Sequence, residues 1–191
     1  EMVMRAVDNG EIMQQGFRVL LRLSLSPAIK APMVEKHAAL VALLVTKCGS
    51  ADALAQEYAL RLLGSLAVDS SNKLALFRTG KLVDVLVRMV GSGPGNAAMA
   101  LLVLSNFVHR VRENQVALFR RAGFVELLIR AASASSTSSE AAMDVKKQAL
   151  SVLANLLEAE PNRDAALKDA RVFEVVLDAA ENGKTPEIKR R

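Results

Sequence analysis

The chain has 191 residues, 51% of them hydrophobic, which is ample for a continuous core. Its one cysteine, Cys48, excludes an internal disulfide and any multi-cysteine metal site. The formal charge of +5 is spread out: residues 1–95 carry 11 basic and 8 acidic side chains and residues 96–191 carry 14 and 12, so no basic block points to nucleic acid.

Leu, Val and Ala fill the apolar positions and no stretch alternates with period two, so no strand is predicted and the fold class expected is all-α. The longest apolar stretches, such as 38–45, are far short of the ~20 residues that cross a bilayer, and no membrane partner is expected. The chain opens at Glu1 with no visible leader. That reads as a fragment of a longer protein, cytoplasmic by default with the nucleus as the alternative.

Internal repetition organises the chain into a single domain, 1–191. Residues 1–25 read as the last two helices of an incomplete repeat. There Phe17-Arg-Val-Leu (17–20) returns as Leu60-Arg-Leu-Leu (60–63), 43 residues on. Residues 27–68 form a full repeat whose Leu40 and Leu43 match Val83 and Leu86 at the same spacing. Residues 70–110 form the next. Its Asn72-Lys-Leu-Ala-Leu-Phe-Arg (72–78) returns as Asn114-Gln-Val-Ala-Leu-Phe-Arg (114–120), and 82–87 returns as 124–129, both 42 residues on. Residues 112–158 are a third full repeat. Residues 160–191 begin another, in which Asn162, Leu167 and 174–177 follow at 48. The Ser/Thr-rich segment 133–139 accounts for the extra length. It is expected to loop into solvent, where phosphorylation would add dense negative charge.

Within each repeat a short helix, a second helix and a longer third are predicted. Breaks are expected at Gly80, 91–95, Gly123 and Glu160-Pro161-Asn162, with Asp69, Asn96, Ser139 and Asn162 as N-caps. Leu63, Leu66, Val83, Leu86, Leu104, Val125, Leu128, Leu153 and Leu156 recur at matching apolar positions and are expected to be buried. On these features the chain resembles the armadillo-repeat family. The residues that carry the likeness are the Asn opening the first helix, Gly80 and Gly123 before the second, and Leu104-Ser-Asn106-Phe and Leu153-Ala-Asn155-Leu in the third. The resemblance implies a right-handed superhelical solenoid of three-helix repeats whose third helices line a concave groove. The two-helix HEAT repeats are the structural alternative.

Candidate chemistry is sparse. His37 and His109 stand alone in the sequence, without a ligand cluster at metal spacing. The glycines of 91–95 lack the last glycine and the lysine of a phosphate loop and join two helices. Cys48 has no base near it in sequence and reads as a packed thiol. No catalytic residue, metal or cofactor is expected, and the chain is not expected to be an enzyme.

A polar line at i, i+4 spacing remains on the third helices: Gln14, Arg18, Arg22; Glu57, Arg61, Ser65; Ala98, Leu102, Asn106, Arg110; Lys147, Ser151, Asn155. Residues four apart share a helix face. A narrow polar stripe on an otherwise apolar helix is expected to meet water while neighbours cover its flanks. In peptide-binding members of the family the third-helix Asn holds the backbone of an extended peptide. Here Asn106 and Asn155 match that position, and Arg22 and Ser65 stand in it elsewhere. The stripe holds five basic residues against Glu57, which favours an acidic extended or helical segment of another protein. The expected partner-binding groove is therefore Arg18, Arg22, Arg61, Ser65, Asn106, Arg110, Lys147, Ser151 and Asn155. The blander reading is that Glu57 and Arg61 simply pair on a wet helix. A nucleic-acid-binding solenoid is the rival class, disfavoured by scarce stacking aromatics. A regulatory domain of a larger enzyme is the third.

Overall fold

A computed structural model describes residues 10–91, 94–133 and 139–182, and every regular element among them is an α-helix. The chain enters through α1 (Gly10–Leu23), which turns Met13, Gly16, Phe17 and Leu20 inward at helical spacing. Three helix triplets follow. They are α2 (Pro27–Glu35), α3 (Ala38–Cys48) and α4 (Ala53–Leu66); α5 (Ser70–Arg78), α6 (Gly80–Gly91) and α7 (Pro94–Val108); and α8 (Arg112–Phe119), α9 (Phe124–Ser133) and α10 (Glu140–Leu156). The described chain closes with α11 (Glu160–Ala166) and α12 (Ala170–Asn182).

Local chemistry sets these boundaries. Asp52 caps α4, its carboxylate accepting from the amides of Leu54 (2.9 Å) and Ala55 (3.1 Å). Asp69 caps α5 through the Ser71 amide, and the Ser71 hydroxyl, 2.6 Å away, holds the Asp69 carboxyl below its usual range. Ser139 caps α10 at the Ala142 amide. Gly123 ends the turn after α8 at φ +73°, a conformation that glycine adopts without a Cβ clash.

The three helices of each triplet touch one another. The third helices α1, α4, α7 and α10 also pack side by side, as do the second helices α3, α6, α9 and α12. Fully buried leucines fill the space between these rows, among them Leu62, Leu63, Leu66 and Leu86. Burying each contributes roughly 1.5–3 kcal/mol. Phe17 of α1 stacks on Tyr58 of α4 at 5.8 Å, and Phe77 meets Phe107 edge-on at 6.4 Å. Cys48 is buried in the same core. Burial pushes its thiol up to about 12, so it stays protonated at neutral pH.

A polar line ties the first helices into the stack. Asn72, Asn114 and Asn162 are all buried. Each amide donates to the last turn of the preceding third helix: to the carbonyls of Leu66 (3.2 Å), Phe107 (2.8 Å) and Leu156 (2.7 Å). The same three amides also reach the first helix of that preceding triplet, at the carbonyls of Lys30, Lys73 and Gln115. Helix C-termini leave carbonyls without intrahelical partners, and a buried amide with two donors satisfies two carbonyls at once.

Several expectations are corrected. Asn96 and Asn162 are not N-caps but lie inside α7 and α11, because Pro94 and Pro161 fit the first helical turn and start those helices earlier. Glu160-Pro161-Asn162 therefore opens a helix and does not break one. Val125 is half-buried, whereas the other eight expected core residues are buried. The insert expected at 133–139 lies, apart from its first and last residues, outside the described residues, as do most of the glycine turn's centre (92–93) and residues 1–9 and 183–191.

Candidate functional site

The third-helix row carries the polar line. Arg18 and Arg22 are exposed on α1, and among the described residues neither joins an ion pair. Arg61 is exposed on α4 but contacts the Glu57 carboxylate at 2.6 Å, one helical turn back. Such an exposed i, i+4 pair is worth about 0.3–0.5 kcal/mol, weak enough for a better anion to displace. Lys147 is exposed on α10.

The uncharged members of the line face their neighbours. The Ser24 and Ser65 hydroxyls lie 2.8 Å apart, and Ser65 donates to the Ser24 carbonyl at 3.2 Å. The Asn106 amide reaches the Gly64 carbonyl at a long 3.4 Å. Asn155 donates to the Ser105 hydroxyl at 2.8 Å, and Ser151 stands 3.2 Å from the same hydroxyl. His109 Nδ1 lies 3.5 Å from the side-chain Oδ1 of Asn155. Ser65, Asn106, Ser151 and Asn155 thus join adjacent third helices, and all but the exposed Ser151 are half-buried.

Arg110 departs most from its expected place. Helix α7 ends at Val108, and Arg110 follows it at φ +59°, a left-handed conformation that costs a non-glycine residue roughly 1–2 kcal/mol. The residue leaves the i, i+4 stripe and lies at the end of the row. There it lines an open pocket with Arg112, Gln115, Glu158, Glu160 and Arg163. Lys73 is buried beside it and donates to the His109 carbonyl at 3.0 Å, so a cation closes the C-terminal end of α7. Burial first, then the Arg110 charge, lowers the Lys73 pKa. Gln115 donates to the Val108 carbonyl and the Glu158 carboxylate, and Arg163 donates to the carbonyls of Leu157 and Glu158.

This edge, built from the residue after each buried Asn, was not singled out from the sequence. The available signal was the recurrence of Asn followed by a long polar residue: Asn72-Lys73, Asn114-Gln115, Asn162-Arg163. No group of three or more His, Cys, Asp or Glu that could hold a metal ion occurs among the described residues. No helix among them is long and apolar enough to cross a membrane.

No family model matches the chain, and no curated protein matches it. A solved structure does. The crystal structure of an engineered protein, a target of the Northeast Structural Genomics Consortium, matches with a TM-score of 0.75 at 24% identity, over 93% of this chain and 71% of that one. At that identity the likeness is one of helical fold.

Proposed function

We propose that the chain is an armadillo-like solenoid, a right-handed superhelix of three-helix repeats, acting as a non-enzymatic scaffold that holds an acidic segment of another protein along its third helices. The observation that carries this reading is the exposure of Arg18, Arg22, Arg61 and Lys147 on three helices of one row, with Arg18 and Arg22 in no ion pair among the described residues. Guanidinium groups bind carboxylates through two parallel hydrogen bonds, so such a row favours Asp- and Glu-rich ligands in a set register. Asn106 and Asn155 contribute less than the family likeness implies, because their amide donors already reach the neighbouring helix. The charged positions therefore carry the recognition.

The test is a double reversal, Arg22→Glu with Arg61→Glu, measured against acidic peptides and the natural partner. Affinity is expected to fall about tenfold or more and to lose part of its salt dependence, with helicity and melting temperature unchanged. The control is Arg120→Glu with Arg130→Glu, both exposed outside the third helices. Arg171 is unsuitable as a control because it pairs with Glu126 and Asp169. A folded double mutant that binds as tightly as the parent overturns the reading.

A further inference from the structure

Resting on the groove reading above, we infer that the third-helix row selects a divided segment: acidic residues toward both ends and, between them, one aliphatic residue seated on α7 at Leu102.

Hydrogen bonds set the register of the row. The Asn96 amide donates to the Gln56 side chain at 2.8 Å, and the Asn106 amide reaches the Gly64 carbonyl at 3.4 Å, so α7 runs in step with α4 over its whole length. Asn155 donates to the Ser105 hydroxyl at 2.8 Å, which holds α10 in step with α7. Ser65, Asn106 and Asn155 therefore stand level. One turn back along each helix Arg61, Leu102 and Ser151 stand level, and one turn further back Glu57, Ala98 and Lys147 do.

Charge along that register is interrupted. Helices α1, α4 and α10 carry Arg18 and Arg22, Arg61, and Lys147, all of them exposed. Helix α7 runs from Pro94 to Val108 without a charged side chain. At the level of Arg61 it offers Leu102, which is 36% exposed, with Ala98 and Met99 half-buried one turn before it. Leu101, Val103 and Leu104 are fully buried and pin α7 in the core, so its outward line is left to Leu102.

A ligand crossing the row from α4 to α10 thus meets a cation, then apolar surface, then a cation. An acidic residue over α7 would lose hydration against Leu102 and gain no partner, so an unbroken acidic tract is disfavoured there. An aliphatic residue at that place covers Leu102 and takes apolar surface out of water. Packed helices lie about 8–10 Å apart and an extended chain advances about 3.3 Å per residue, so neighbouring helices are met by ligand residues about three apart. The pattern is Glu-x-x-Leu-x-x-Glu over α4, α7 and α10, with a further acid for α1. Its central part reads the same in both chain directions.

Blocked peptides with Gly and Ser at every x test this. The first carries Glu-x-x-Glu-x-x-Leu-x-x-Glu-x-x-Glu; the others place Ser or Glu where the leucine stands. Titrated against the parent chain by fluorescence anisotropy, the leucine peptide should bind about five- to tenfold more tightly than either of the others. Leu102→Ser should abolish the preference for leucine over serine, and Leu102→Met should keep it. Leu102→Lys should invert the preference toward central glutamate. Helicity and melting temperature, measured for each variant, should match the parent, and the peptide comparison on the parent chain needs no variant at all. Arg22→Glu with Arg61→Glu should weaken all three peptides alike. Parent binding that ignores the central residue, or is tightest with glutamate, overturns this inference while the double reversal can still uphold the groove. A leucine preference that survives folded Leu102→Ser and Leu102→Lys overturns it too, because the leucine then sits elsewhere. Binding of none of the three peptides overturns the groove reading and this inference together.

Discussion

Asn72, Asn114 and Asn162 on the first helices and Asn106 and Asn155 on the third helices are one side chain at two depths. The first-helix set is buried, and each amide satisfies carbonyls in two other helices at once. The third-helix set is half-buried, holds one neighbouring helix, and lies beside exposed charge. A buried amide has no water to replace a lost partner, so the first set acts as structural ties. The second set can exchange its contacts with solvent or with a ligand at little cost.

The sharpest way to break this contrast is Asn114→Ala. It strands the Phe107 carbonyl at the end of α7 and removes the second bond to the Lys73 carbonyl, and chemical denaturation is expected to show a loss of ~2 kcal/mol. A loss below about half a kcal/mol would show that water enters the site freely. Next comes local opening. Asn72 ties α5 to α2, which packs on the helix that carries Cys48. Native Cys48 is buried and protonated at neutral pH, so a thiol reagent reaches it only when that triplet opens. Asn72→Ala should speed labelling about tenfold, matching ~1.4 kcal/mol of local stability, and Asn106→Ala should leave the rate unchanged. The smallest effects belong to the third-helix set. Asn155→Ala should cost ~1 kcal/mol through its 2.8 Å bond, and Asn106→Ala only a few tenths through its 3.4 Å contact. Equal losses at Asn114 and Asn155 would erase the distinction.

The apolar rhythm made the helices and most of the core legible, because leucines at matching repeat positions need only a face to be buried on. Val125 was placed on the right face, but its position is only partly covered. Depth depends on the neighbour, which one helix does not encode. The same limit hid the buried asparagines. Asn162 reads as a helix opener beside Pro161, yet proline favours the first turn, so the helix begins earlier and carries Asn162 inward. For the candidate site, i, i+4 spacing puts Arg18 and Arg22 on one exposed face of α1, and Arg61 is exposed on the neighbouring α4. The spacing failed at Arg110, because extending the stripe assumes an unbroken helix and α7 stops two residues short.

The polar ties between triplets also bear on how the chain finds its fold. Apart from the short ties to the helix just before, they join residues separated by between 32, as in Lys146 to Asp178, and 50, as in Asn155 to Ser105. Loop-closure entropy grows only with the logarithm of the loop, so widening the repeat from 42 to 48 residues adds roughly 0.1 kcal/mol. An insertion at 133–139 therefore taxes folding very little. Sequence separation in contacts of this kind is set by the length of one triplet and not by the number of triplets. Contact order relative to chain length falls as such a stack grows, so a longer array should search no farther for each new contact than this one does.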